Sequence, residues 1–315
     1  MAESKEDFVM QIVKNRIIFF AISIVLIIGG IASMVINSVQ GNGAFNLDIQ
    51  FTGGVSIEAS VADTVTSEDI KAMAKEITGS EPNQVQMVPA SEGTQSTIIK
   101  FKELSQENID AITDKMESDF GVDPDKGLTI QNVSATISSE MLKNSIVSVV
   151  VACIAMLIYV SLRFKDAKKG TAAVLCLVHD ALIVLGAYAV LRIPMNNNFI
   201  AAILTVLGFS INATIVIFDR VRENTRSVGR KNYESLVNLS VKQTMARSVF
   251  TSLTVFFTVA ALYILGVDSM RQFALPMAVG IIAGTYSSVC ISGNLWYTFS
   301  TVADNRKKKP KSKKK

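Results

Sequence analysis

Six unbroken apolar blocks dominate this chain, and each is long enough for a helix to cross a bilayer. They run 17–36, 145–162, 171–191, 199–218, 249–265 and 273–299; a spanning helix needs about 20 such residues. A soluble fold would break its apolar residues up at helical or strand periods. The expected class is therefore an α-helical polytopic membrane protein with six transmembrane helices. Composition agrees: 49% of the 315 residues are hydrophobic, with a single tryptophan and a single histidine. The first block is too long for a secretory leader and lacks a small-residue cleavage site after it, so it is expected to be retained as an anchor.

Six spans put both ends of the chain on one side, and the basic residues say which. The short segments 163–170 and 219–247 and the tail from Arg306 are rich in lysine and arginine, while 192–198 and 266–272 carry one arginine each. Lysine and arginine concentrate in cytoplasmic loops. This predicts a cytoplasmic N-terminus at 1–16, a first helix at 17–36 and an extracytoplasmic segment at 37–144. A five-helix membrane domain at 145–300 and a basic cytoplasmic tail at 301–315 follow. Anionic lipid is the expected partner of that tail. The net charge of +4 conceals a basic inner side and an acidic outer segment, which argues against nucleic acid as a partner.

The outer segment reads as a small folded domain. Alternation over 48–61, broken by Thr52, Gly53 and Gly54, predicts a strand with a bulge or bend, and the two glycines are the candidate hinge to this domain. Ser67 is the expected cap of a helix carrying Ile70, Met73, Ala74 and Ile77 on one face and stopped by Gly79. Strands follow at 84–88 and 97–101, a second helix at 106–120 and a last strand at 128–133. The order strand, helix, strand, strand, helix, strand predicts a small α+β ferredoxin-like domain between helices 1 and 2.

Polar residues inside spans are costly and mark function or packing. Asp180 lies mid-span beside the lone histidine, His179. A carboxylate beside an imidazole can pass a proton; it can equally supply an interhelical hydrogen bond that fixes packing. Thr205, Gly208, Asn212 and Asp219 fall on one helical stripe, which predicts tight helix contact or an ion path lined by the same groups. Gly280, Gly284 and Ser288 recur every four residues and allow close backbone approach. Asp219, Arg220, Arg222 and Glu223 mark the inner boundary, either as a stop-transfer cluster or as a hinge or subunit contact. The three cysteines all lie inside spans with no metal spacing, and neither a nucleotide-binding loop nor a catalytic triad is present, so neither metal, cofactor nor enzyme activity is expected.

Several of these stretches together carry a resemblance. QFTGG at 50–54, the His179–Asp180 pair, GFSINATIVIFDRVREN at 208–224, QTMARS at 243–248 and GIIAGTYSS at 280–288 occur in this order on this topology. The chain resembles the SecD/SecF family of protein-export membrane proteins, within the wider group of ion-driven (RND-like) permeases. The resemblance implies a bacterial plasma-membrane subunit acting with SecD at the SecYEG channel on an exported unfolded polypeptide. SecA and YajC are further implied partners, and a transported proton or sodium ion takes the place of a cofactor. It makes Asp180, His179, Asn212, Arg247 and Asp219 the ion-coupling candidates, Arg247 equally serving as a simple anchor. Family members usually carry an aspartate where Gln50 stands, Gly-Pro-x-x-Gly where Ser134, Ala135 and Ser138 stand, and Ser-x-Asn-Asp-Thr where this chain has Ala213 between Asn212 and Thr214. The last departure removes the carboxylate most naturally assigned to ion relay. It leaves two alternatives to the motor: a non-coupling subunit that stabilises SecD and the channel, or half of a lipid or drug exporter.

Overall fold

The computed structural model describes residues 11–41, 43–91, 93–123, 127–164 and 166–308. The chain divides into two compact units, one of them Leu47–Val147 and the other made of the segments on either side. The expected lipid-binding run falls on the side chains of 306–308 and on 309–315, and much of the expected N-terminal segment on 1–10; both lie outside this description.

The smaller unit begins with a helical turn, α2 (Ile49–Thr52), followed by β1 (Gly54–Ala62), α3 (Ser67–Thr78), β2 (Gln84–Ser91), β3 (Thr94–Phe101), α4 (Gln106–Phe120) and β4 (Leu128–Val133). All pairings are antiparallel, in the order β2-β3-β1-β4, with Ile57 opposite Ile99 on one side and Ile130 on the other. Alternate residues of β1 (Val55, Ile57, Ala59 and Val61) are buried against Ile70 and Met73 of α3 and Ile112 and Met116 of α4. Period-two burial on the strand and period-3.6 burial on the helices thus meet in one core.

Two local expectations are corrected here. Residues 49–52 wind into a turn instead of extending. Gly53 ends that turn at φ 75°, and Gly54 (φ 117°) lies so close to β3 that a side chain there would put Cβ 2.2 Å from the Phe101 carbonyl oxygen. The cap of α3 is Thr66, one residue before Ser67: its hydroxyl accepts from the Asp69 amide while Asp69 accepts from the Thr66 amide, a reciprocal capping box. Gly79 and Gly121 close α3 and α4 in the left-handed conformation, which glycine adopts without a Cβ clash.

The larger unit holds α1 (Arg16–Val39) and the membrane-type helices α6 (Ala167–Leu191), α7 (Asn197–Val228), α8 (Tyr233–Leu265) and α9 (Asp268–Tyr286). The last continues through a π-helical turn at Ser287–Ser292 into α10 (Gly293–Lys308). Helix α5 (Ala135–Arg163) begins in the smaller unit and runs into this one. Among the described residues, six helical segments are long and apolar enough to cross a membrane. Within them the most apolar stretches of α6, α7 and the α9–α10 run are 44%, 44% and 61% buried, against 11%, 6% and 17% in α1, α5 and α8. The first group is the core of the unit; the second shows most of its apolar surface outward, as lipid-facing helices do. Helix α1 packs on α6 through Gly30 and Gly186, where a Cβ on either would meet the other's Cα at 2.8–3.2 Å.

A buried carboxylate at the crossing of three helices

Asp180, on α6, is completely buried. Its Oδ1 lies 2.8 Å from Nδ1 of His179, and its Oδ2 accepts from the hydroxyls of Ser210 on α7 and of Ser287 (2.8 Å) in the π-helical turn. A carboxyl group this deep persists only if its polar atoms are satisfied; here hydroxyls from two other segments donate to one oxygen and the neighbouring imidazole meets the other. Adjacency in sequence would send His179 to another helix face, yet its ring bends back to its neighbour. The ring is itself almost fully buried, 6.4 Å from the Tyr286 ring between centroids, and its Nε2 has no hydrogen-bond partner among the described residues.

Close helix approach makes this meeting possible. A Cβ on Gly280 would lie 2.2 Å from Val206 Cγ2, and one on Gly284 would lie 3.1 Å from Ser210 Cβ. One turn further on, the Ser288 hydroxyl sits 3.0 Å from that of Thr214 and donates to the Ser210 carbonyl at 3.3 Å. The residues thus match in steps of four (280 with 206, 284 with 210, 288 with 214), the pattern of i±4 ridges packed together. The π-helical turn adds a residue to the helical register just beyond it, a device common at functional sites, and presents both Ser287 and Ser288 to the interior.

The remaining candidates lie elsewhere. Asn212 is two residues, about 200° of helix, from Ser210 and therefore points away from Asp180. It is exposed, as are Thr205 and Gly208 on the same stripe, and a Cβ on Gly208 would meet nothing within 4 Å. Three of the four residues of this stripe are thus left uncovered among the described residues. Asp219 is ion-paired with Arg163 at the end of α5, not with Arg247, which is exposed on α8 and pairs with nothing among the described residues. Arg220 bonds Gln243 and Glu223, each at 2.6 Å, while Arg222 lines a separate cavity. Gly53 ends α2 and Gly54 opens β1. Sequence reasoning missed Ser287 and Arg163. The paired serines within an apolar run signalled the first, but only the π-helical turn aims Ser287 at Asp180.

Among the described residues no group of three or more His, Cys, Asp or Glu side chains could hold a metal ion, and all three cysteines are free thiols. Chemically, the site offers a carboxylate, an imidazole and hydroxyls: groups that bind, release and pass a proton, or that offer oxygen ligands to a small cation.

The fold and the site together define the class, a multi-pass helical membrane protein with one buried acid–imidazole pair at the crossing of its central helices. Residues 114–302 match the family model for the protein export membrane protein SecD/SecF C-terminal domain. The chain is similar to the protein translocase subunit SecF of Acidaminococcus fermentans, with 34% identity over 92% of this chain and 97% of that one. It is also 33% identical to protein translocase subunit SecDF of Bacillus subtilis over 90% of its length, but spans only 37% of that relative. The crystal structure of SecDF from Thermus thermophilus superposes with a TM-score of 0.81 at 31% identity, covering 92% of this chain and 38% of that one. The chain belongs to the SecD/SecF family.

Proposed function

We propose that this chain is a non-enzymatic subunit of the Sec protein translocase, acting with SecD at the SecYEG channel to promote late-stage polypeptide export with the proton or sodium motive force. The observation that carries the coupling is the Asp180 network. A carboxylate buried on three helices ties their relative positions to its own protonation, because a neutral carboxyl and a carboxylate make different demands on Ser210, Ser287 and His179. An ion arriving there changes which helix arrangement is favoured. No cofactor is required beyond the transported ion.

The outward stripe of α7 supports the partner. An asparagine facing hydrocarbon is costly, and small residues beside it suit close helix approach. Ala201, Thr205, Gly208 and Asn212 all lie on this uncovered face. SecDF relatives, of which this chain spans little more than a third, join a second part to the part matched here; SecD fills that place in this reading. Strand order and covering helices support a ferredoxin-like outer domain, and the distribution of basic residues supports its extracytoplasmic position, cytoplasmic termini and residence in the bacterial inner membrane.

A non-coupling structural role is the rival, and Ala213 favours it. One experiment separates the two. The chain is reconstituted with SecD and the channel, ATP is removed from a half-exported protein, and completion is followed with and without an ion gradient. Gradient-driven completion abolished by Asp180→Asn supports coupling through this chain. Completion that needs the chain but ignores the gradient ends the coupling reading.

A further inference from the structure

At the end of the larger unit where α5 and α7 finish and α6 and α8 begin, a cavity of about 660 Å³ opens among the helix ends. That is within the usual range of ligand sites, about 300–1,000 Å³. Its charge is lopsided. Two carboxylates line it, and both are engaged: Asp219 by Arg163, and Asp166 by the indole N–H of Trp296 at 3.3 Å. Against them stand the side chains of Lys168, Arg222, Arg226 and Arg230, none of which forms an ion pair or hydrogen bond among the described residues. Lys169 is the strongest sign of a built site. Only 9% of it is exposed and its ammonium lies 5.3 Å from the centre of the Trp296 ring; the Asp166 and Asp219 carboxylates act on it only through space, and it makes no hydrogen bond or close ion pair among the described residues. Its stem is buried while the ammonium faces the cavity, where a ring face and two carboxylates already engaged elsewhere leave room for an anion.

The surroundings select the anion. The cavity lies where the apolar stretch of α7 stops, between Phe218 and Asp219. Immediately before Arg163 on α5 comes Leu162, 77% exposed, and apolar side chains such as Ile158 continue outward along that helix. Tyr233 and Trp296 stand at the same level with rings 5.5 Å apart, edge to face, as aromatic residues do where hydrocarbon meets water. An exposed apolar helix face leads into a pocket of unpaired cations. A phosphate carrying acyl chains satisfies both; a soluble anion satisfies only one.

We propose that this cavity binds the headgroup phosphate of an anionic phospholipid. Lys169, Arg222 and Arg226 near the end of α7, and Arg230 just beyond it, receive the phosphodiester, and the acyl chains lie against the outer face of α5. Basic pockets between helix ends bind such headgroups. Its lining residues are other than those of the basic tail beyond Arg306, and it owes nothing to ion coupling at Asp180.

The test uses the only tryptophan, Trp296, as a probe inside the site. The full chain in neutral detergent is titrated with short-chain phosphatidylglycerol, with phosphatidylcholine of the same chain length, and with inorganic phosphate. Indole fluorescence is followed, and a phosphatidylglycerol brominated on its chains serves as a quencher. A saturable change is expected with phosphatidylglycerol, at concentrations at least about ten-fold below those needed for either comparison. Lys169→Met, and separately the exposed pair Arg226→Gln with Arg230→Gln, should each raise half-saturation about ten-fold; Lys71→Gln in the smaller unit should leave it unchanged. The arginine pair keeps the test valid should the buried Lys169→Met chain fail to fold. Equal response to phosphatidylcholine, or indifference to the arginine pair, overturns the site. Saturation by inorganic phosphate at the same concentration as phosphatidylglycerol overturns the lipid and leaves a soluble-anion pocket.

Discussion

Ser287 donates its hydroxyl to Asp180 across 2.8 Å although 107 residues separate them. That bond joins the π-helical turn to α6, and with the Ser210 hydroxyl it supplies the two hydroxyl donors to a carboxyl group with no access to solvent. Ser287→Ala should therefore destabilise the chain by about 1–3 kcal/mol, the usual cost of leaving a buried acceptor short of a donor. Thermal unfolding in detergent measures it. In Asp180→Asn, the same serine substitution should cost less, because an amide oxygen needs the donor less than a carboxylate does. Equal costs in both backgrounds would refute the bond's importance.

The Gly280–Val206 approach predicts a rescue. Gly280→Ala places a methyl against Val206 and should cost about 1–3 kcal/mol through overpacking. Val206→Ala alone leaves a small cavity and costs less, and the double variant should be more stable than Gly280→Ala alone. A strictly additive double-mutant cycle would show that the two side chains do not share this space.

The partner of Asp219 is open to a direct check. Its carboxylate and the Arg163 guanidinium are each about one-third exposed (34% and 37%), so their coupling in a double-mutant cycle should be below about 1 kcal/mol and weaken with added salt. Asp219 and Arg247 should show none. Coupling of Asp219 to Arg247 in place of Arg163 would contradict the structure.

Asn212 should matter to assembly and not to the isolated chain. Asn212→Leu is expected to leave the unfolding temperature of the purified chain within experimental scatter. Co-purification with SecD in a mild detergent should fall. Unchanged co-purification would remove the uncovered face of α7 from the subunit interface.

Acid should loosen α3. Hydrogen bonds from the Thr66 hydroxyl and then its amide hold the Asp69 carboxyl below its ordinary value of 3.8. A depressed folded-state value stabilises above 3.8, and that contribution is lost as pH falls through the lower value. Amide hydrogen exchange over α3 in the full chain, corrected for intrinsic rates, should quicken across that acid window. The quickening should be smaller in Thr66→Ala, which has less to lose. Identical acid profiles would rule the capping box out as the cause.

What the sequence determined by itself was everything set by local length and period. Six apolar blocks of about 20 residues read as membrane-type helices, because a helix satisfies its own backbone groups in hydrocarbon and needs about that length to cross it. Gly79 and Gly121 could stop α3 and α4 because a left-handed residue suits a helix end. The spacing of Gly280, Gly284 and Ser288 was legible as a close-packing ridge. The tertiary structure alone decided which ridge it met, since one-dimensional spacing carries no partner. It matched those residues to Val206, Ser210 and Thr214, added the π-helical turn that aims Ser287 at Asp180, and turned Asn212 outward while Ser210 turned in. It also gave Asp219 to Arg163, because which charges pair depends on how helix ends are gathered in space. Such pairings arise from relative helix rotation and depth, and these are settled by packing the whole unit.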